Sequence, residues 1–164
     1  MLIFHFKSHI NGNMRLMIDT NIFLDVLIRR EPFYAQAKAV LDLCESEKVQ
    51  GFLSASSVTD IFYLVHRQLH STELAYQALG FILDIVKVLT VTNGDVYNAY
   101  ITKAADFEDC LLATCAKSNQ CDAIVTRNKK DYLTFGITLL SPEELLALFP
   151  VGVEERETEK TQQI

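Results

Sequence analysis

The sequence is short of long apolar runs, of paired cysteines and of positive charge, and each shortage excludes a class of protein. No stretch of about 18 or more apolar residues occurs, which argues against a membrane-spanning helix. The first residues have neither a basic leading region nor a small-residue cleavage site, so we do not expect a secretory signal peptide. The length of 164 residues and the hydrophobic content of 49% are those of one globular domain.

The four cysteines lack the spacing of a zinc site. They are Cys44, Cys110, Cys115 and Cys121, and they form no C-x-x-C pair. Cys110 and Cys115 fall within a helical pattern, and free cysteine is among the residue types most often buried. We therefore expect reduced core cysteines in a cytoplasmic protein, with neither disulfides nor a zinc centre.

The formal net charge of −6 is opposite in sign to what simple phosphate binding requires. A protein that holds nucleic acid only by neutralising phosphates is usually basic, so the acidity argues against non-specific binding. The charge is compatible with a metal-dependent nuclease, because a cluster of carboxylates stays negative until cations bind to it.

Strand and helix patterns alternate along the middle of the chain. Short apolar or β-branched runs predict strands, and amphipathic stretches with capping residues at their starts predict helices between them. The predicted strands are residues 15–19, 50–54, 87–91, 123–126 and 136–140. This alternation indicates an α/β fold with a parallel sheet covered on both faces and joined by right-handed crossovers.

The two ends of the chain depart from this pattern. Residues 1–13 close with the turn sequence Asn-Gly-Asn just before Met14, so we expect either a flexible N-terminal extension or natural translation from Met14. Residues 150–164 are polar and rich in charge, which predicts a loosely ordered C-terminal tail. Residues 14–149 remain as the single folded domain.

Carboxylates recur where predicted strands end and helices begin. Asp19 ends the first strand and precedes a helix, which places it where open α/β sheets bind ligands, outside the carboxyl ends of the strands. Asp60 is expected in the first turn of the helix after the second strand, capped by Ser56 or Ser57. Taken alone, each acid can also be explained as part of a helix cap, and for Asp60 that explanation is the better one.

Three further acids follow in comparable positions. Asp106 and Asp109 begin a helix that continues into an apolar run, and they share one face of it. Asp131 lies in the polar loop after the fourth strand, together with Asn128. Carboxylates that converge repel one another unless a cation intervenes, and a purely oxygen-based ligand set suits Mg²⁺ or Mn²⁺. Such ions polarise a phosphoryl oxygen and activate water.

Four segments of the chain resemble the PIN domain (PilT N-terminus) family of metal-dependent ribonucleases. They read Met-Ile-Asp-Thr-Asn-Ile-Phe-Leu-Asp at residues 17–25, Leu-Ser-Ala-Ser-Ser-Val-Thr-Asp at 53–60, Asp-Phe-Glu-Asp-Cys-Leu-Leu-Ala at 106–113 and Ala-Ile-Val-Thr-Arg-Asn-Lys-Lys-Asp-Tyr at 123–132. The segments occur in the family's order within residues 14–149. The resemblance implies a three-layer α/β/α sandwich with a central parallel sheet of four to five strands. It also implies an acidic pocket that holds Mg²⁺ or Mn²⁺ and hydrolysis of RNA phosphodiester bonds.

Transferred to matching positions, the resemblance assigns catalytic and metal-binding roles to the acids. The four principal carboxylates are Asp19, Asp60, Asp109 and Asp131, and Asp106 is an auxiliary metal ligand. Asp60 stands where the family more often has Glu, whose side chain reaches farther.

The resemblance also implies supporting residues around the acids. Thr20, Asn21, Thr126 and Asn128 would hold the carboxylates in place through hydrogen bonds from their hydroxyl or amide groups. Asn128 stands where many members carry a fourth acid, so Asp131 would supply that charge. Arg127 and Lys129 flank the pocket loop and would hold the RNA backbone.

A small PIN protein of this length resembles the toxin of a bacterial type II toxin–antitoxin pair. That resemblance implies a cytoplasmic homodimer whose acidic site receives a segment of a small antitoxin, without any membrane association.

Three other readings compete with the ribonuclease. A phosphatase with an aspartyl nucleophile wants a second acid two residues after Asp19, where this chain has Asn21. A receiver domain needs a phosphorylated Asp at the end of the third strand, and residues 87–91 end without one. A catalytically weak or inactive PIN-fold interaction or RNA-binding protein stays open, because Asp60 and Asn128 depart from the family pattern.

Overall fold

The computed structural model describes residues 14–150, over which five strands and seven α-helices alternate. The strands are β1 (Arg15–Ile18), β2 (Gln50–Ser54), β3 (Lys87–Leu89), β4 (Ala123–Val125) and β5 (Leu139–Leu140). The helices are α1 (Thr20–Leu27), α2 (Tyr34–Glu45), α3 (Ala55–Leu69), α4 (Thr72–Ile85), α5 (Asn93–Thr102), α6 (Phe107–Ser118) and α7 (Pro142–Ala147). A 3-10 turn spans Lys129–Tyr132. The predicted extension at residues 1–13 and the predicted tail beyond residue 150 lie outside the described residues.

The five strands form one parallel sheet in the order β3-β2-β1-β4-β5. Met17 at the centre of β1 pairs with Phe52 of β2 on one side and Ile124 of β4 on the other. The chain builds outward from β1 to β3 and then returns to the opposite side of β1 with β4. The direction of winding therefore reverses between β1 and β4, and a crevice opens outside their carboxyl ends.

The side chains of β1 show that the sheet is covered on both faces. Leu16 and Ile18 belong to one apolar cluster with residues of α1, α2, α3 and α4, whereas Met17 belongs to a second cluster with residues of α6 and the 3-10 turn. Successive residues of a strand point to opposite faces, so two clusters on one strand require two helical layers. Burial of each such side chain contributes about 1.5–3 kcal/mol, which makes these layers the main source of stability.

The structure confirms the predicted α/β/α sandwich and its parallel sheet, with differences at the ends of elements. β3 ends at Leu89 rather than residue 91, and β5 contains only Leu139 and Leu140. The cap of α3 is Ser54, whose hydroxyl accepts a hydrogen bond from the Ser56 amide at 3.2 Å. The prediction that Ser56 or Ser57 caps this helix is wrong, because Ser54 at the end of β2 already has the extended backbone that a cap needs.

No helix within residues 14–150 is both long enough and apolar enough to cross a membrane.

Candidate active site

A pocket of about 270 Å³ lies in the crevice outside the carboxyl ends of β1 and β4. Five carboxylates line it, and they are Asp19, Asp106, Glu108, Asp109 and Asp131. Four of the five predicted site acids are therefore brought together from three separate parts of the sequence. The predicted supporting residues Thr20, Asn21 and Asn128 also line this pocket.

Asp19 is both a helix cap and a pocket carboxylate. Its Oδ1 accepts a hydrogen bond from the Asn21 amide at 3.4 Å, which caps α1, and its Oδ2 accepts one from the Thr126 hydroxyl at 2.8 Å. The residue is only 3% exposed. Burial raises the pKa of Asp19, and the hydrogen bond from Thr126 is the largest opposing effect. The cap explanation is therefore confirmed, and the same carboxylate also lines the pocket.

Asp109 lies in the first turn of α6, where Asp106 caps the helix as predicted. The Asp109 amide donates to Asp106 Oδ1 at 3.1 Å. Burial raises the pKa of Asp109 to about 6, the nearby Tyr132 hydroxyl opposes this rise, and the charges of Asp106, Asp19 and Asp131 add to it. These carboxylates therefore repel one another across the pocket, and a cation bound between them would relieve that repulsion.

Two buried hydroxyls of pocket-lining residues form no hydrogen bond of ordinary geometry among the described residues, although one of them, on Tyr132, lies close enough to the Asp19 and Asp109 carboxylates to oppose the rise that burial causes in their pKa values. They are Thr20 Oγ1 and the hydroxyl of Tyr132, and both residues line the pocket. Burial, followed by the charge of Asp19, raises the pKa of Tyr132, so its phenol remains neutral and can donate a proton to a hydrogen bond. Unpaired buried polar groups are costly, which indicates that a ligand or its water completes them. The sequence analysis assigned no role to Tyr132, although it closes the fourth resembling segment.

Asp131 and Asn128 are held by the loop that follows β4. The Asn128 amide N–H donates to Thr126 Oγ1 at 2.9 Å, and its side-chain amide donates to the Asp131 carboxylate. Thr126 therefore accepts from Asn128 while it donates to Asp19. A single buried hydroxyl links the loop to the first carboxylate of the site.

Asp60 lies outside the lining of the pocket. Because Ser54 caps α3, Asp60 falls in the second turn of this helix, and the expectation of a first-turn position is wrong. Its charge still reaches the site: burial raises the pKa of Glu108, and Asp60 is the foremost of the neighbouring charges that raise it further. Glu108 itself lines the pocket although the sequence analysis gave it no role, and its position beside Asp109 was the available signal.

Both predicted RNA-backbone residues have partners within the chain. Arg127 Nε lies 2.9 Å from Oδ2 of Asp25, and Lys129 Nζ lies 2.8 Å from each carboxylate oxygen of Glu144. Neither residue belongs to the described lining of the pocket. Asp25 was missed by the sequence analysis, and its signal was a charged residue within the otherwise apolar run that forms α1.

The donor set of the pocket fits a hard divalent cation that keeps part of its hydration shell. Within residues 14–150 no three His, Cys, Asp or Glu side chains stand close enough to enclose one ion. Mg²⁺ does not require such a cage, because it usually binds through one or two carboxylates and keeps several waters. Carboxylates, the unpaired hydroxyls and the absence of thiols among the lining residues favour Mg²⁺ or Mn²⁺ over softer metals.

Comparison with known proteins agrees with this geometry. The family model described as PIN domain matches residues 15–130 of the chain. No curated protein is significantly similar in sequence.

Several solved structures share the fold at low sequence identity. VapBC2 from Rickettsia felis, bound to a DNA fragment from its promoter, aligns with a TM-score of 0.61 and 17% identity over 78% of this chain and 98% of that chain. VapC20 from Mycobacterium tuberculosis, described as a sarcin–ricin loop cleaving toxin, aligns with a TM-score of 0.60 and 15% identity over 75% and 96%. A toxin–antitoxin complex from Klebsiella pneumoniae aligns with a TM-score of 0.58 and 17% identity over 77% and 97%.

Proposed function

Because the chain belongs to the PIN domain family, we propose that it is a metal-dependent endoribonuclease that hydrolyses RNA phosphodiester bonds. The observation that carries this proposal is the convergence of Asp19, Asp109 and Asp131 in one pocket at the switch point of the sheet. An acidic pocket of this kind repels a phosphate unless a cation lies between them, which makes the metal part of the proposal.

In this proposal Asp19 and Asp109 hold Mg²⁺ or Mn²⁺ directly. Asp131, Asp106 and Asp60 assist directly or through water, with Asp60 acting from farther away because it lies outside the pocket lining. When bound, the ion supplies a Lewis acid that polarises a phosphoryl oxygen and activates water for in-line attack.

The chain's own groups orient the carboxylates and the substrate. Thr126 and the Asn21 amide fix the two oxygens of Asp19, and Asn128 fixes Asp131. The neutral Tyr132 phenol lies beside Asp19 and Asp109, where it would donate a hydrogen bond to a carboxylate, to a phosphate oxygen or to a water in the pocket. Arg127 and Lys129 would contact the RNA backbone only by giving up the intramolecular pairs that they form.

We extend the proposal to a toxin of a type II toxin–antitoxin pair. Three solved structures of the same fold are described as toxin–antitoxin, VapBC or toxin structures, which supports a small antitoxin as partner. The proposal places the protein in the cytoplasm, where its four free cysteines would be thiols. It also includes a homodimer, supported by the exposed apolar face of α5, where Tyr97 is 62%, Tyr100 64% and Ile101 53% exposed.

A second candidate is a PIN-fold interaction or RNA-binding protein with weak or no catalysis. The position of Asp60 outside the pocket favours it, since one carboxylate of the family pattern then contributes little to metal binding. The two candidates differ in one measurable property, which is RNA cleavage that depends on the pocket acids.

The test compares RNA cleavage by the purified protein in Mg²⁺ or Mn²⁺ with cleavage by Asp19→Asn and Asp109→Asn. Loss of outer-shell partners typically costs about 10–100-fold, so loss of a direct ligand is expected to reduce cleavage at least about 100-fold. Asp42→Asn is the matched control, because Asp42 is exposed and pairs only with Lys38 on the surface of α2.

Equal cleavage by all four proteins would refute the assigned site and point to a contaminating nuclease. RNA binding without cleavage by the wild-type protein would favour the interaction protein.

A further inference from the structure

Asp25 is a fully buried carboxylate that is not among the residues lining the pocket. It lies in α1, six residues after Asp19, and its side chain is 0% exposed. Two guanidinium groups face it, since Arg127 Nε lies 2.9 Å from Oδ2 and Arg30 Nη1 lies 3.9 Å from Oδ1. A carboxylate buried to this extent needs such a partner, because the protein interior solvates charge poorly.

The nearer partner belongs to the loop that completes the active site. Arg127 directly follows Thr126, whose hydroxyl donates to Asp19 Oδ2 at 2.8 Å. Two adjacent residues of one loop therefore bind two carboxylates of one helix, Thr126 with Asp19 and Arg127 with Asp25. The same loop carries Asn128, which binds Asp131.

The Arg127 side chain is held on more than one side. Its guanidinium lies 4.1 Å from the ring centroid of Phe33 at the start of α2, within the range of a cation–π contact. A planar guanidinium with one edge on a carboxylate and one face on an aromatic ring has little freedom to rotate. The loop is thereby attached to α1 and α2 at a defined point rather than merely attracted to them.

We infer that the Asp25–Arg127 ion pair is a positioning device for the active site, which fixes the loop at residues 126–131 against α1. Thr126 then holds Asp19, and Asn128 holds Asp131, in the arrangement that receives the metal. The consequence for metal binding rests on the proposed function, whereas the attachment of the loop does not.

Stability alone does not explain why an ion pair occupies this buried position. Well-packed apolar residues commonly stabilise a buried position as well as an ion pair does. Neither Asp25 oxygen accepts a hydrogen bond of ordinary geometry among the described residues, so the Nε contact is an ionic one. What the pair adds is a second fixed contact, which together with the ring contact restricts where the Arg127 side chain lies. The same contacts position the neighbours of Arg127 in the loop, which line or support the pocket.

The first measurement is native-state hydrogen exchange of the Asn128 amide, which donates to Thr126 Oγ1 at 2.9 Å and reports on the loop without any metal. The variant is Asp25→Asn, which removes the charge and lies in α1 rather than in the loop. We expect exchange at least about tenfold faster than in the wild type after correction for global stability. Arg30→Met is the matched control, because Arg30 faces the same carboxylate at 3.9 Å but belongs to another loop, and we expect unchanged exchange there.

The second measurement is Mn²⁺ affinity by calorimetry on the same three proteins. Asp25→Asn is expected to weaken binding about 10–100-fold, the range for groups that orient metal ligands, and Arg30→Met to leave it within about twofold. If Asp25→Asn does not fold, Arg127→Lys takes its place, since it keeps the charge and loses the planar contact.

A double variant, Asp25→Asn with Arg127→Met, separates positioning from stability. Removal of both charges relieves any penalty from an unpaired partner, so its thermal midpoint should recover toward that of the wild type. Asn128 exchange should nevertheless stay fast.

Unchanged Asn128 exchange in a folded Asp25→Asn protein, or protection that recovers with the midpoint in the double variant, would overturn the inference. A wild-type protein that binds no Mn²⁺ would instead count against the proposed function, and the exchange data would still decide the role of the ion pair.

Discussion

Cavities lie at the two ends of the parallel strands, which we call the amino edge and the carboxyl edge of the sheet. They differ in size and in chemistry. The cavity at the amino ends of β2 and β3 is the larger, about 450 Å³ against about 270 Å³ at the carboxyl ends of β1 and β4. Its acids, Glu45, Glu47 and Asp84, are exposed to solvent. The smaller cavity contains Asp19 and Asp109, whose pKa values are raised chiefly by burial. The burial of charge, rather than the volume of the cavity, distinguishes the candidate site.

The direction of the strands explains why the two edges differ. In a parallel sheet all strands end at the same edge, and here α1, α3 and α6 begin at that edge. Helix N-termini present unpaired amides and the positive end of the helix dipole, which favours carboxylates. Asp19 and Asp106 occupy such positions. The opposite edge receives helix C-termini, where carboxylates gain no such support.

The largest expected difference between the edges concerns toxicity in bacteria without a cognate antitoxin. Expression of the wild-type protein should arrest growth, and Asp109→Asn should restore colony counts at least about 100-fold because it removes a proposed metal ligand. Asp84→Asn, at the other edge, should arrest growth like the wild type. Colony counts with matched protein levels on immunoblots provide the measurement. Arrest by Asp109→Asn at wild-type strength would break the comparison.

A change at the amino edge should affect stability and leave the site intact. A methyl group on Gly51 would lie 2.6 Å from Cys44 Sγ and 2.8 Å from Val86 Cγ1, so Gly51→Ala overpacks this region. We expect a loss of about 1–3 kcal/mol in the free energy of unfolding, measured in urea. Mn²⁺ affinity of the remaining folded protein should be unchanged.

The control for this prediction is Gly51→Ala combined with Cys44→Ala, which removes the sulfur from the clash and should recover part of the lost stability. Weakened Mn²⁺ binding by folded Gly51→Ala would show that the two edges are coupled.

The smallest expected effect is the pH dependence of the metal-free protein. The pKa of Asp109 is about 6 in the folded state against 3.8 for the unperturbed group. Between these values the folded protein binds more protons than the unfolded chain, so this residue lowers stability as pH rises from about 4 to about 6. Asp109→Asn should therefore be more stable than the wild type at pH 7. The full shift would correspond to about 3 kcal/mol, and solvent screening of this half-buried group reduces it to about 1–2 kcal/mol, an advantage that should vanish toward pH 4.

Urea denaturation at several pH values without metal measures this difference, and Asp84→Asn should show no such trend. Saturating Mn²⁺ should reverse the advantage at pH 7, because the ion binds the charged carboxylate and the variant cannot bind it. A stability difference that is independent of pH would contradict the raised pKa of the half-buried Asp109 carboxyl.

Local patterns predicted most of the elements and several of their caps. Asp106 with Asp109 at the start of α6 forms the cap that their spacing predicts, since the Asp109 amide donates to the Asp106 carboxylate. The failure at α3 has a local cause too, since three serines compete as the cap and only Ser54 has the required backbone. Because α3 begins earlier than predicted, Asp60 lies in its second turn instead of its first, and it is not among the residues that line the pocket.

Contacts between distant parts of the chain could not be predicted from such local patterns. Arg127 and Lys129 were expected to face RNA, and the structure pairs them with Asp25 and Glu144 instead. Nothing in the spacing of these residues indicates the pairs, because each depends on which elements become neighbours. Tyr132 shows the same limit: its phenol is buried beside Asp109 although the sequence places it in a polar loop.

The sequence by itself therefore determined the class of fold, the order of its elements and the acids that end or begin them. These features arise from interactions within a few residues, such as the alternation of side chains along a strand and hydrogen bonds at helix starts. Tertiary structure alone decided that β1 and β4 are neighbours, and with it that Thr126 binds Asp19 across 107 residues of sequence. The physical reason is that a strand's own sequence encodes its burial and period but not its partner, which is selected by the packing of the whole domain.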